Sequence, residues 1–230
     1  MDFLVLWLCV LVLKVEIKKR VDSMIQPHMG ILYIISAPSG TGKTSLVRAL
    51  ASSMPEMLGS ISHTTRASRE TEIEGQDYHF VSEAEFKELR KKGSFLEYAK
   101  VFGHYYGTSS AWAQETLMRG IDVILEIDWQ GARQVRSQFI DAISIFIVPP
   151  SEVTLVQRLK NRHQDNTSVI ELRMSAAKNE ISHYTEYDYL LCNDQFETAL
   201  SELKIIVQSH RLKLKAQQYR LMNIMNKLIN

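Results

Sequence analysis

ILYIISAPSGTGKTSLVRAL, residues 31–50, decides how the rest of the chain is read. ILYIIS (31–36) is a short apolar run rich in branched side chains, bounded by glycine and proline, which predicts a buried strand. TSLVRALASSM (44–54) has helical spacing and ends near Pro55. Between them APSGTGKT (37–44) has the spacing of a phosphate-binding loop, with Ala37 where the first glycine usually stands. Gly40 and Gly42 permit backbone conformations that turn successive N–H groups toward phosphate oxygens. Lys43 offers a mobile positive charge to β- and γ-phosphates, and Thr44 offers a hydroxyl to Mg²⁺. The helix that begins there adds its partly positive end. A turn that merely joined strand to helix would have no use for lysine and threonine at these two positions.

Outward from this loop, apolar runs alternate with helical patterns. Further core strands are expected in IDVILEIDW (121–129), AISIFIVPP (142–150) and YDYLLCN (187–193), four with the first. Helices are expected at 82–93, 110–120, 130–139, 151–162 and 169–184, and over most of the tail from 194. Ser82 followed by Glu85 forms a capping box, and Gly93 ends that helix. HQDNTS (163–168) reads as a loop, and DYHFV (77–81) as a short strand in a side lobe completed by FLEYAKV and FGHYYGTS. Strands alternating with helices over this length predict an α/β fold whose mostly parallel sheet is covered on both faces.

The 230 residues suit one α/β core with small inserted lobes. Apolar residues make up 45% and charged residues 23%, and the net charge is +1, which gives no support for a surface that coats a nucleic acid polymer. Cys9 and Cys192 lie far apart, and the histidines are scattered without metal-ligand spacing. FLVLWLCVLVL (3–13) is eleven apolar residues, too short to span a bilayer, which takes roughly 20. It fits a signal peptide poorly, since Asp2 precedes it. Three accounts stay open: translation starting at Met24 or Met29, a peripheral membrane segment, or a dispensable extension.

A phosphate loop alone does not separate a kinase from an ATPase, a GTPase or a motor. The base-reading Asn-Lys-x-Asp run of a GTPase is absent from the sequence, and so is a long second ATPase module. A small phosphotransferase remains. Its second substrate is suggested by SHTTRASRETEIEGQDYHF (62–80), a stretch too polar to build a core.

Taken in order, SAPSGTGKT, SHTTR, GxDYxF, FLEYAxVFGxYYGTS, IDWQGA, IFIVPPS and YDYLLCND resemble the guanylate kinases, over roughly residues 30–215. The resemblance is to the bacterial stand-alone enzymes and implies a cytoplasmic protein with the P-loop nucleoside monophosphate kinase fold. It implies a core, a GMP-binding lobe and a mobile lid, and MgATP-dependent phosphorylation of GMP and dGMP. On this basis residues 1–29 are an extension and 30–230 the kinase-like domain. The core is expected at 30–60, 112–152 and 176–230, the GMP lobe at 61–111 and the lid at 153–175.

The family's roles fall on residues of this chain one at a time. Ala37, Pro38, Ser39, Gly40, Thr41, Gly42, Lys43 and Thr44 would bind ATP, with Thr44 toward the Mg²⁺ that arrives with it. Arg66, Arg69, Tyr78 and Tyr106 would grip the GMP phosphate, guanidinium forks and phenolic hydroxyls making charge-assisted hydrogen bonds. Glu97, Thr108, Asp128 and Ser62 would face guanine, whose N1–H and N2–H₂ donors call for acceptors. Lys43, Arg158, Arg162 and Arg173 would be catalytic, the last three from the lid, with Arg158 and Arg162 on one helical face. The partners implied are ATP and GMP, with no stable membrane insertion; the oligomeric state stays open.

The chain departs from the family pattern at RASRETE (66–72), which lacks the usual two prolines and glycine. It departs also at Glu126, where aspartate is usual, and at His163, where the lid usually has glycine. Two rivals stand beside the enzyme: a non-catalytic scaffold holding a phosphopeptide in the arginine–tyrosine pocket, and a P-loop kinase for another small substrate. The intact Gly40, Gly42, Lys43 and Thr44 count against the first, and the guanine-facing set against the second.

Overall fold

The computed structural model describes residues 29–160 and 167–229. The apolar run after Gly30 forms strand β1 (Leu32–Ser36), buried throughout. Helix α1 (Lys43–Ser53) follows the glycine loop, and β2 (Met57–Gly59) follows α1. An inserted region comes next, with β3 (His63–Thr64), β4 (His79–Phe80), α2 (Glu83–Lys91), β5 (Phe95–Val101) and β6 (His104–Ser109). The chain then returns through α3 (Ser110–Met118), β7 (Asp122–Glu126), α4 (Trp129–Gln138) and β8 (Ile143–Val148). Helices α5 (Glu152–Lys160) and α6 (Thr167–Ile181), a 3₁₀ turn at Tyr184–Glu186 and β9 (Tyr189–Cys192) come after these. Helices α7 (Phe196–Arg211), α8 (Leu214–Arg220) and α9 (Met222–Ile229) end the described chain.

Five strands form a parallel sheet in the order β2-β7-β1-β8-β9. Four of them were expected. The fifth, β2, is three residues long and carries too little alternation to be read from sequence. Because side chains of β1 alternate between faces, Tyr33 and Ile35 meet Leu46, Val47 and Leu50 of α1 and Leu203 and Val207 of α7. Leu32 and Ile34 meet Leu117 of α3 and Val135 of α4 on the other side. The sheet is therefore covered on both faces, as the alternation of elements predicts.

The inserted region builds a second, four-stranded sheet in the order β4-β3-β6-β5, with β3/β6 and β5/β6 antiparallel and β3/β4 parallel. FLEYAKV is β5, and FGHYYGTS supplies the turn at Phe102–Gly103 and then β6, the second strand of the hairpin. IDVILEIDW is shorter as a strand than expected. It ends at Glu126, and Asp128 caps α4, accepting a hydrogen bond from the Gly131 N–H. Ser82 caps α2 by accepting from the Glu85 N–H at 3.2 Å. None of the helices among the described residues is long and apolar enough to cross a membrane.

Candidate active site

The phosphate loop leaves the carboxyl end of central β1, the end of a parallel sheet where ligands of doubly wound folds collect. Gly40 and Gly42 take φ of 92° and 91°, a left-handed conformation that side chains with a Cβ rarely adopt. Gly42 is the N-cap of α1 and brings no side-chain hydrogen bond to the first turn, which leaves the helix N–H groups open to an anion. The loop is braced from behind by Asn193, just after β9. Its side-chain amide donates to the Thr41 carbonyl at 2.6 Å.

Register explains the next contact. Ile35 of β1 pairs with Glu126 of β7, which sets the Glu126 carboxylate beside the loop. Lys43 Nζ lies 3.5 Å from Glu126 Oε1, and the Thr44 hydroxyl donates to the same oxygen. The ammonium, hydroxyl and carboxylate form one cluster at the mouth of the loop. A hydroxyl beside a carboxylate is a hard-oxygen donor set of the kind Mg²⁺ takes, along with water and phosphate oxygens.

Arg66, Tyr78 and Tyr106 come together in the inserted lobe. The Arg66 guanidinium stands 5.3 Å from the Tyr78 ring centroid, and the Tyr78 and Tyr106 rings meet edge to face at 5.9 Å. Burial and then the field of Glu126 push the Tyr78 hydroxyl up to about 12, so it stays a neutral donor near neutral pH. Arg48 of α1 pairs with Asp77, the neighbour of Tyr78, which ties the lobe to the helix that follows the phosphate loop. Glu72, given no role in the sequence reading, organises the arginines. It accepts from Arg66 Nη2 at 2.7 Å and from the Arg69 backbone N–H at 2.8 Å. Burial opposes its charge, but these bonds hold its carboxyl below the usual carboxylate range. The turn that lacks prolines is thus tied by its own glutamate, while the Arg69 side chain remains 45% exposed.

Beyond the cage is a buried polar pocket. Glu97 is 3% exposed and Thr108 is fully buried. The Thr108 hydroxyl donates to Glu97 Oε1 at 2.8 Å, and Ser62 Oγ lies 3.4 Å from that hydroxyl. A bulge in β5 between Phe95 and Glu97 explains why Leu96 and Glu97 are both buried, which strict alternation would forbid. Burial pushes the Glu97 carboxyl up to about 7, with Thr108 and Lys43 opposing and Asp128 adding to the shift. Asp128 Oδ2 accepts from Gln130 and Oδ1 from the Gly131 N–H, both at 2.9 Å. Glu180 of α6, another residue the sequence reading passed over, is pushed up to about 7 by burial. Lys43 opposes that rise and Asp128 adds to it, which puts Glu180 in the same electrostatic neighbourhood.

Arg158 projects from α5 onto the loop and donates to the Asn193 carbonyl at 3.0 and 3.1 Å and to the Thr41 carbonyl at 3.3 Å. It therefore touches the phosphate loop through backbone carbonyls. Arg173 is half-buried on α6. Arg162 lies outside the described residues.

The phosphate loop, the Arg66–Tyr78–Tyr106 group and the buried Glu97–Thr108 pair are the candidate site. Comparison with known proteins identifies the family. The family model described as guanylate kinase matches residues 29–210. The guanylate kinase of Vibrio cholerae is 56% identical over 190 residues, covering 82% of this chain and 92% of the relative. That of Vibrio parahaemolyticus is 54% identical over 202 residues, 87% of this chain and 98% of the relative. The crystal structure of guanylate kinase from Anaplasma phagocytophilum superposes with a TM-score of 0.67 at 31% identity, covering 84% of this chain and 92% of that one. With motifs, site and relatives in accord along most of its length, this chain belongs to the guanylate kinase family.

Proposed function

We propose that this chain transfers the γ-phosphoryl group of ATP to the phosphate of GMP or dGMP, giving ADP and GDP or dGDP. The observation that carries this reading is the adjacency of two unlike sites: the Lys43–Thr44–Glu126 cluster, and a lobe whose Arg66–Tyr78–Tyr106 cage leads to the buried Glu97. The loop 37–44 holds the ATP phosphates, and Arg66, Arg69, Tyr78 and Tyr106 hold the acceptor phosphate. Glu97, Thr108, Asp128 and Ser62 select guanine, since a carboxylate accepts from N1–H and N2–H₂ while adenine presents a different edge. Thr44 and Glu126 would hold Mg²⁺, which neutralises charge on the β- and γ-phosphates when bound. Lys43, Arg158, Arg162 and Arg173 stabilise the negative oxygens of the group in transfer.

The GMP phosphate already carries its nucleophilic oxygen, so the chain's task is alignment and charge neutralisation rather than strong base catalysis. The proposal assigns 61–111 as the acceptor lobe, 153–175 as the lid, and the remainder from residue 30 as core. It includes the cytoplasmic setting expected from the sequence. A coupled phosphotransfer assay with ATP across GMP, dGMP, AMP, CMP and UMP tests it. GMP and dGMP should be the efficient acceptors. A preference for any other base overturns the reading.

A further inference from the structure

Glycine inside a helix is an unfavourable choice beside alanine, because it loses more backbone freedom on folding. Gly131, the third residue of α4, nevertheless stands there with an ordinary helical backbone. Space accounts for it. A Cβ built on Gly131 would lie 2.4 Å from Glu97 Oε2 and 3.2 Å from Glu97 Cδ. The same residue's N–H donates to Asp128 Oδ1 at 2.9 Å. One glycine thus touches both carboxylates that face the acceptor base.

We infer that Gly131 is a specificity-positioning residue: its bare Cα is the seat of the Glu97 carboxylate, and its N–H fixes Asp128. The inference rests on the guanine-reading roles proposed above. The atom that a methyl group would strike is the far end of a side chain, so the carboxylate moves while the helix stays. Thr108 holds Glu97 Oε1 from the other side, so the displaced group cannot keep both that bond and its aim at the base. Glu97 is proposed to hold the base and not the reacting atoms, so its displacement weakens acceptor binding, which is read in KM.

The test is Gly131→Ala, alone and in a Glu97→Ala background, with kcat/KM for GMP and IMP, KM for ATP, and melting temperature. IMP lacks the 2-amino group that Glu97 is proposed to bind. In Gly131→Ala, the KM for ATP should stay within about twofold of wild type, while kcat/KM for GMP falls about 30-fold or more, chiefly through KM. The preference for GMP over IMP should shrink with it. In the Glu97→Ala background the same change should leave catalysis unaltered and raise the melting temperature, as helix propensity dictates. Wild-type efficiency and preference in Gly131→Ala overturns the inference. So does a destabilisation that persists without Glu97, which would make Ile127 Cβ, 3.3 Å from the built Cβ, the neighbour that matters. Failure of the base reading itself is separately visible, because Glu97→Ala would then keep the wild-type preference for GMP over IMP.

Discussion

At the scale of single residues, two side chains divide the proposed chemistry. Lys43 lies in the Glu126–Thr44 cluster at the loop mouth, while Arg66 pairs with Glu72 in the lobe. Lys43→Ala should abolish turnover while leaving GMP binding, measured calorimetrically without ATP, close to normal. Near-normal turnover would remove the loop from the mechanism. Glu97 is proposed to set the base preference, and burial pushes its carboxyl up to about 7. Guanine's donors need the ionised form, so kcat/KM for GMP should fall as pH drops below about 7, since this ratio reports groups of the free enzyme. The GMP phosphate also titrates, near pH 6 if it resembles other phosphate monoesters. Glu97→Gln separates the two: it should lose the limb near 7 and keep the lower one. Its efficiency with GMP should fall about 30-fold or more, from a lost charge-assisted bond of roughly 2–5 kcal/mol, while AMP turnover changes much less. An unaltered preference for GMP over AMP in this variant would rule out Glu97 as the base reader.

Among elements, the contact between α4 and β5 decides whether Glu97 meets its partners. β5 is the edge of the smaller sheet, and Gln134 of α4 pairs with it as a strand would. Its Oε1 accepts from the Tyr98 N–H at 3.2 Å, and its Nε2 donates to the Tyr98 carbonyl at 2.8 Å. Gln138 adds a bond to the Leu96 carbonyl at 3.3 Å. Gln134→Ala removes both bonds to β5, at about 1 kcal/mol each, so the KM for GMP should rise about tenfold or more with the KM for ATP unchanged. An unchanged KM for GMP would show that the bulged strand holds its place without α4. Elements of this kind mark the limit of sequence reading. The strand–loop–helix at 31–54 and the Ser82 cap were legible because their signals are local in spacing and composition. Glu126 meets Thr44 across 82 positions through strand register, which no local pattern encodes. Glu72 stood in plain view as the end of RASRETE, but its function as the tie between two arginines appears only once the turn is folded. Asn193 and Glu180 lie on separate elements that topology brings to the loop.

Over the whole molecule, the acceptor pocket sets function against stability. Removal from water destabilises the charged form of a carboxyl, and Glu97 and half-buried Glu180 are both pushed up to about 7 from an ordinary value of 4.5. Raised folded-state values favour the protonated form, so the contribution of these groups to stability is complete below about pH 4.5 and is lost as pH rises through 7. Each amounts to roughly 3 kcal/mol at most, since a tenfold change in proton affinity is worth about 1.4 kcal/mol. Two histidines, half-buried His63 and buried His210, act in the other direction. Burial holds His63 and His210 below their ordinary value, so their contribution is present above about 6.5 and lost toward acid. The total pH profile is therefore a compromise, and only a difference between variants isolates the pocket. Glu97→Gln keeps an oxygen for the Thr108 hydroxyl and removes the charge. At pH 8 it should melt several degrees above wild type, each kcal/mol being worth about 2–4 °C in a chain of this size. By pH 5, where wild-type Glu97 is already protonated, the two melting curves should nearly coincide. A Gln variant no more stable than wild type at pH 8 would mean that the free enzyme already neutralises Glu97. The site would then owe its preference for guanine to shape rather than to a carboxylate held ready for it.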